Sequence, residues 1–149
     1  MPLAQMAYAT SGNLPGLNTI ETAIARAWLG EHQAEYDTLD FNVRLGKGVE
    51  PPAGSADSHK TYIYSSTTKR ADMILKQGAA VTIVKIKDRI SGGVIGQLHT
   101  YAHLYQQANP AATLIHLIAA GRSIQTDISQ VFDKFGITIE LFPHVYVAT

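Results

Sequence analysis

The sequence predicts an α/β fold, with residues 1–149 forming a single domain. A chain of 149 residues has the length of one domain, and an apolar content of 46% is enough for one well-buried core. Helix-like and strand-like segments alternate along the chain. One strand-like segment, 80–87, is continuously β-branched and apolar up to its lysines, which is typical of a central strand covered on both faces. These observations predict a central sheet flanked by helices.

The predicted elements begin with one helix and four strands, after which helices and strands alternate. In order, they are a helix over 18–29, strands over 41–45, 61–64, 71–75 and 80–87, a helix over 94–108, a strand over 114–118, a helix over 126–135 and a strand over 137–142. The strands at 71–75 and 80–87 form a hairpin. The stretch 49–59 contains two prolines and a glycine and is predicted to be a loop.

Local signals justify the elements of the first half. Asn18 and Glu21 have the spacing of a capping box, and apolar residues then recur on one helical face until Gly30, which we expect to end the helix. Residues 41–45 alternate like a strand. Gln77-Gly78 predicts the turn of the hairpin.

The second half is justified by helical spacing and by helix stop signals. Apolar positions step by four, three and four residues along the second helix, at Val94, Leu98, Tyr101 and Tyr105. Asn109-Pro110 stops this helix because proline cannot continue it. Thr126 or Asp127 is expected to cap the third helix, and Gly136 to end it.

The composition excludes several classes of protein. The chain has no cysteine, so it can form neither a disulfide framework nor a thiolate metal site, which fits a cytoplasmic protein. Residues 1–13 lack the features of a secretion signal, and no segment approaches the roughly 18 consecutive apolar residues of a membrane span. We therefore expect no membrane partner. A net charge of +0 gives no global sign of nucleic-acid binding.

The basic side chains are nevertheless concentrated in the middle of the chain. Residues 60–89 carry seven basic and two acidic side chains, a local balance of +5. The basic ones are Lys60, Lys69, Arg70, Lys76, Lys85, Lys87 and Arg89. A charge cluster is most often a solvated face. Here two of the lysines interrupt an apolar strand, where isolated charges are costly, and this favours a functional site.

Asp72 and the run Lys85-Ile86-Lys87 have the spacing of a phosphodiesterase site with one charge reversed. Residues i and i+2 of a strand share a face, so positions 85 and 87 are expected to project together, with Asp72 beside them on the hairpin partner. Phosphodiester hydrolysis commonly uses a hard cation such as Mg²⁺ held by carboxylates, and a cationic side chain near the attacking oxygen.

Arg70-Ala71-Asp72, the apolar strand with Lys87, and the following Gly96-Gln97-Leu98 with Tyr101 resemble the PD-(D/E)xK nuclease superfamily, which has the restriction-endonuclease-like fold. The resemblance covers about residues 18–142. It implies an αβββαβ core with a mixed central sheet flanked by helices. Because of the strand 42–46, Asn-Val-Arg-Leu-Gly, the chain looks most like small phage-encoded members.

The resemblance implies roles for particular residues. Asp72 would be the first metal ligand, Glu21 the helix-borne acid near the metal, and Lys87 the motif lysine, with Lys85 as a third catalytic position. Contacts with DNA would come from Lys69, Arg70, Arg89, Gln97 and Tyr101. Mg²⁺ would be the cofactor and DNA the partner.

Lys85 departs from the pattern, which requires Glu or Asp at that position. A first hypothesis is a Mg²⁺-dependent DNA nuclease of the host cytoplasm, weakened by Lys85 unless Glu21 replaces the lost ligand. In a second hypothesis Lys85 holds phosphate or pairs with Asp72, and Mg²⁺ binding is lost. The chain would then be a catalytically silent DNA-binding or structural part of a phage virion, such as a head-completion or neck adaptor. Its partners would be phage structural proteins or further copies of itself.

A competing signal lies on the second helix. His99 and His103 are four residues apart, the spacing of two metal ligands on one helical face. No third ligand is evident in the sequence, so a polar stripe is the favoured interpretation. His32, His59 and His144 fit no motif.

Overall fold

The computed structural model describes residues 12–48, 50–61 and 69–147. The elements are, in chain order, α1 (Thr19–His32), a 3-10 turn (Gln33–Glu35), β1 (Thr38–Leu45), β2 (Lys69–Gln77), β3 (Ala80–Ile86), β4 (Arg89–Ile90), α2 (Gly93–Ala108), β5 (Leu114–Gly121), β6 (Ser123–Ile124), α3 (Ser129–Lys134) and β7 (Ile137–Leu141). One further helical turn covers 57–61. The strand predicted at 61–64 falls almost entirely outside the described residues.

A mixed five-stranded sheet has the order β1-β2-β3-β5-β7. The first three strands pair antiparallel, and β5 and β7 then add in parallel on the far side of β3. Strands β4 and β6 form a separate two-stranded parallel pair. The α/β class and the αβββαβ core with a mixed sheet flanked by helices are therefore confirmed. That residues 1–149 form one domain stays a prediction.

Helices cover both faces of the sheet. On one face, which we call the α1 face, buried residues of α1 pack with strand residues: Ile24, Ala25, Trp28 and Leu29 with Leu39, Met73, Leu75, Val84 and Ile86. On the other, the α2 face, α2 and α3 do so: Val94, Leu98, Tyr101, Tyr105 and Phe132 with Ile74, Val81, Ile83, Leu117 and Ile137. Among the described residues, no helix combines the length and apolar character needed to cross a membrane.

The first helix begins as predicted and ends later. The Asn18 side chain accepts from the Glu21 backbone N–H at 2.8 Å, and Glu21 accepts from the Asn18 N–H at 3.0 Å, so the capping box is present. Gly30 was expected to end the helix, but α1 continues to His32. A glycine inside a helix costs only about 1 kcal/mol relative to alanine, and the buried face of α1 offsets that cost.

The alternation of side chains between the two faces of the sheet is interrupted in β1 at Asn42. Phe41 packs on the α1 face, whereas Val43, two residues further, packs on the α2 face. Regular alternation would put both on one face. Asn42 has a φ of 51°, and this left-handed residue reverses the alternation. Gly16 makes room for it, because a Cβ on Gly16 would lie 2.7 Å from the Asn42 side chain.

Strand β2 shows the same interruption one strand further in. Met73 packs on the α1 face and Ala71 on the α2 face, so Asp72 lies where the faces exchange. The register pairs Phe41 with Met73 and Val43 with Ala71, which places Asp72 opposite the left-handed Asn42. The side chains of β2 therefore do not alternate regularly between the two faces at Asp72.

Candidate functional site

Asp72 and Lys85 form an ion pair at one end of the β2–β3 hairpin. The register pairs Met73 with Val84, so the next position outward brings Asp72 to Lys85. The Lys85 Nζ lies 3.4 Å from the Asp72 Oδ2, and only 16% and 13% of the respective side chains are exposed. Both charges are thus held largely away from water, next to each other.

The Asp72 carboxylate has a second partner. Its Oδ2 accepts a hydrogen bond of 2.7 Å from the Ile86 backbone N–H. Burial raises the pKa of Asp72 even though the Lys85 charge and the Ile86 hydrogen bond lower it. Desolvation therefore outweighs the ion pair, and the same oxygen serves both donors.

Glu21 lies near enough to Asp72 to act on it electrostatically. Its negative charge raises the pKa of Asp72, although by less than burial does. One Glu21 oxygen is already used in the capping box of α1. The structure therefore brings this acid to the edge of the site, where part of its bonding capacity stabilises the start of the helix.

The charges of the ion pair act electrostatically on Tyr101 of α2. Lys85 lies between Val84 and Ile86, which pack on the α1 face, so it projects toward the α2 face and Tyr101. Burial raises the pKa of Tyr101, while the charge of Lys85 lowers it and that of Asp72 raises it. The charges of Lys85 and Asp72 therefore both affect the pKa of the Tyr101 hydroxyl.

A cavity of about 250 Å³ lies beside Tyr101 at the start of α2. Its lining residues are Lys69, Gly93, Gly96, Gln97, Thr100 and Tyr101. Side chains added at Gly93 and Gly96 would meet no atom within 4 Å, so the backbone at the start of α2 is open. Three of the residues that the resemblance assigned to DNA, Lys69, Gln97 and Tyr101, are thus brought together.

The structure does not place Lys87 in this group. Strand β3 ends at Ile86, and Lys87, which was expected to be inside the strand with Lys85, is exposed one residue beyond it. The Lys87 backbone N–H donates to the Ala120 carbonyl at 3.0 Å, and the chain then turns away at Asp88. The prediction that Lys87 is a buried strand charge is wrong, and its role as motif lysine stays a prediction.

The remaining basic candidates occupy different surroundings. Arg70 is partly buried on β2, and the register places it opposite Arg44 of β1, a residue of the same charge. Arg89 is exposed on the short strand β4. No contact described in the structure joins Arg89 to the Asp72–Lys85 pair, and its assignment to DNA stays a prediction.

The two histidines of α2 do not form a metal-binding pair in the described structure. The ring of His99 donates to the Phe135 carbonyl, with a distance of 2.8 Å from Nε2, and it meets the Phe135 ring edge-on at 5.7 Å. His99 therefore links α2 to the end of α3. His103 is exposed.

Sequence reasoning missed an ion pair beyond β3. Arg122 donates to both Asp88 oxygens, with Nε–Oδ1 at 2.5 Å and Nη2–Oδ2 at 2.8 Å, and to the Val145 carbonyl at 3.2 Å. The Arg122 hydrogen bond is the main cause that lowers the pKa of Asp88. Asp88 is therefore engaged away from the Asp72 site, and because the two residues are 34 positions apart in the sequence, no local signal indicated the pairing.

The comparisons with known proteins agree with the fold and add no family. No protein-family model and no curated protein matches the sequence. The chain is similar to the solved structure of protein AF1548, of unknown function, at 9% identity and a TM-score of 0.50, over 82% of this chain and 57% of that one. At such low identity the likeness shows the fold alone.

Two further solved structures are similar at lower TM-scores. One is EndoMS in a complex with double-stranded DNA, at 11% identity and a TM-score of 0.48, over 89% of this chain and 48% of that one. The other is a repair endonuclease from Pyrococcus abyssi, at 10% identity and a TM-score of 0.47, over 80% and 46%. The chain spans about half the length of these proteins.

Proposed function

We propose that this chain is a nuclease-fold protein that binds nucleic acid without metal-dependent cleavage, with the Lys85 ammonium standing where a metal ion would be held. The observation that carries the proposal is the 3.4 Å ion pair between Lys85 and Asp72, with less than a fifth of either side chain exposed. A carboxylate that already has a buried counterion binds a metal ion poorly, because the ion would have to displace that counterion.

The donor set at Asp72 does not fit Mg²⁺. This ion prefers near-ideal octahedral oxygen coordination and is held through one or two carboxylates. Here one oxygen of Asp72 is shared between Lys85 and the Ile86 N–H, and Glu21 is partly used as a helix cap. A dication about 5 Å from Lys85 would also meet direct repulsion. Exchanging a carboxylate for an ammonium there shifts the Coulomb energy by roughly 10 kcal/mol at an effective dielectric near 20.

The same surroundings suit a phosphate group. Lys69 supplies a positive charge at the rim of the 250 Å³ cavity, and Gln97 supplies amide donors. The open glycine backbone at the start of α2 lets a phosphate approach closely, and the positive end of the helix dipole favours it there. With the +5 balance of residues 60–89, these features favour DNA as the partner, bound through its backbone rather than its bases.

Binding to duplex DNA is expected to weaken steeply with salt. With four to six Lys or Arg contacts to phosphates, the log-log slope of affinity against salt concentration should be roughly −4 to −5, because each neutralised phosphate releases counterions. Replacing both Lys69 and Arg70 with alanine should flatten the slope by up to about two units. Fluorescence anisotropy across a salt series measures the slope.

Lys76→Ala is the matched control for this series. Lys76 is an exposed lysine near the opposite end of the nine-residue strand β2, roughly 20 Å from Lys69. Its removal should leave the slope unchanged. If wild-type affinity does not depend on salt, or if no DNA binds even at low salt, the nucleic-acid function is rejected and a protein interface, such as that of a virion adaptor, takes its place.

A weak Mg²⁺-dependent nuclease is the second candidate. The observation in its favour is that the charge of Glu21 raises the pKa of Asp72, so a second carboxylate acts on this end of the sheet. In this candidate, Glu21 and Asp72 together would hold the metal and Lys85 would swing toward the phosphate. The two candidates differ in whether Mg²⁺ produces cleavage.

A further inference from the structure

His32 sits among three glutamates at the junction of α1 and β7. Its Nδ1 is 2.5 Å from the Glu35 Oε2, and its Nε2 is 2.6 Å from the Glu140 Oε1 and 4.0 Å from the Glu31 Oε2. Imidazole nitrogen and carboxylate oxygen are the ligands that borderline divalent ions accept. The ligand atoms of His32, Glu31 and Glu140 all lie within 4.8 Å of one another.

We propose that Glu31, His32 and Glu140 bind a divalent transition-metal ion of the Zn²⁺ class. The imidazole Nε2 and one oxygen from each carboxylate would be the protein ligands, and water would complete the coordination. The site joins the last turn of α1 to the edge strand β7, whose Glu140 is 108 residues from His32. A bound ion would therefore crosslink two elements distant in sequence.

Groups outside the ligand set orient two of the three ligands. Glu35 accepts at the Nδ1 side of the imidazole and would keep the proton there, while a metal ion would take the place of the Nε2 proton, which Nε2 donates to Glu140 in this structure. The Trp28 indole N–H donates to the Glu140 Oε2 at 2.6 Å, which directs the other oxygen toward His32. The Trp28 ring also stacks on the His32 ring, with centroids 4.5 Å apart and 27° between the planes. Carboxylate–histidine pairs of this kind commonly support metal-bound histidines.

The distances are close to those of a bound ion. Ligand atoms bound to tetrahedral zinc are separated by roughly 3.3 Å, as its bond lengths of about 2.0 to 2.2 Å require. The 2.6 Å and 4.0 Å separations from His32 Nε2 lie on either side of that value. Shifts of less than about 1 Å would equalise them, and the Glu31 side chain, which is 63% exposed, is free to move.

A cavity adjoins the exposed ligand Glu31. It has a volume of about 290 Å³ and is lined by Glu31, Leu141, Phe142, Pro143, His144 and Val145. Glu31 is thus shared between the cavity and the proposed ligands, and it is the one ligand of the three that lines the cavity. The imidazole ligand also separates this site in chemistry from the all-oxygen site that Mg²⁺ would need.

Calorimetric titration with Zn²⁺ at pH 8 tests the proposal. Wild-type protein should bind one ion, and 1 mM Mg²⁺ should not displace it. His32→Gln and Glu140→Gln should each weaken Zn²⁺ binding by at least about 100-fold, whereas Glu35→Gln, which changes an orienting group, should weaken it by about tenfold. His103→Gln, an exposed histidine elsewhere, is the matched control and should bind as the wild type does.

A second readout guards against a folding defect in the variants. Co²⁺ bound to the wild type should give the visible absorption of a site with nitrogen and oxygen ligands, and His32→Gln should lose that band while keeping its circular dichroism. A wild type that binds no Zn²⁺ would overturn the proposal. Equal affinity in the wild type and in His32→Gln would also overturn it, because the ion would then be bound elsewhere.

Discussion

Replacing Lys85 with glutamate is expected to give the chain a Mg²⁺ site. In Lys85→Glu, two carboxylates face each other across the β2–β3 hairpin, with Glu21 near them. The variant loses the ammonium that neutralises Asp72 and gains a ligand oxygen in its place. Part of the roughly 10 kcal/mol of Coulomb energy that opposes a dication in the wild type becomes favourable.

We expect Mg²⁺ affinity to rise by at least about 100-fold over the wild type, which corresponds to about 3 kcal/mol once solvent screening and relaxation have reduced the Coulomb energy. Isothermal calorimetry measures this affinity. Lys76→Glu makes the same charge change on the exposed part of β2 and should not alter Mg²⁺ binding. No heat with Lys85→Glu would show that the charge of residue 85 is not what keeps metal from this site.

Removing the carboxylate of the ion pair should destabilise the fold strongly. Asp72→Asn keeps an oxygen for the Ile86 N–H but leaves the Lys85 ammonium, whose side chain is only 16% exposed, without a counterion. Breaking a buried pair in this way costs several kcal/mol, and the partial exposure here reduces the expected loss in free energy of unfolding to about 2–3 kcal/mol. Urea denaturation measures it.

Lys85→Met should cost less, about 1 kcal/mol at neutral pH, because Asp72 keeps its backbone hydrogen bond and can take up a proton. The double variant should then show a coupling of about 1–3 kcal/mol between the two residues. Lys76→Met, at an exposed position on the same strand, should stay within about 0.5 kcal/mol of the wild type. Strictly additive effects of Asp72→Asn and Lys85→Met would mean that the ion pair contributes nothing.

The pH dependence of the Lys85→Met variant follows from the same burial. Burial already raises the pKa of Asp72, and removing Lys85 raises it further because the lysine charge lowers it. The folded pKa then lies above the unfolded one, so the contribution of Asp72 to stability is fully present below the unfolded pKa and is lost as the pH rises through the folded pKa. An aspartate in an exposed ion pair has the opposite effect on the free energy of unfolding, because its folded pKa is lowered and its contribution is lost as the pH falls.

Local signals in the sequence predicted the fold class and half of the site. The capping box at Asn18 depends on residues three apart, and the turn at Gly78 depends on a φ of 57° that glycine adopts easily. The position of the turn sets the register of the two strands, and this register predicts that Asp72 lies beside Lys85.

Other features depend on contacts that no local pattern carries. The face exchange at Asn42 requires a left-handed residue inside a strand, with Gly16 packed against it. Lys87 lies one residue beyond β3, where its N–H bonds to Ala120 of β5, a strand with which the sequence alone could not align it. The metal-capable cluster was missed because Glu140 joins His32 across 108 residues.

Incubation of supercoiled plasmid with wild-type protein and 10 mM Mg²⁺, beside the same reaction in EDTA, tests most directly whether Lys85 replaces the metal ion. We predict DNA binding of equal strength in the two conditions at matched ionic strength, and no nicked or linear product in either. Mg²⁺-dependent nicking by the wild type that disappears in Asp72→Asn would contradict the account, because it would show that Asp72 holds a catalytic metal despite its ion pair.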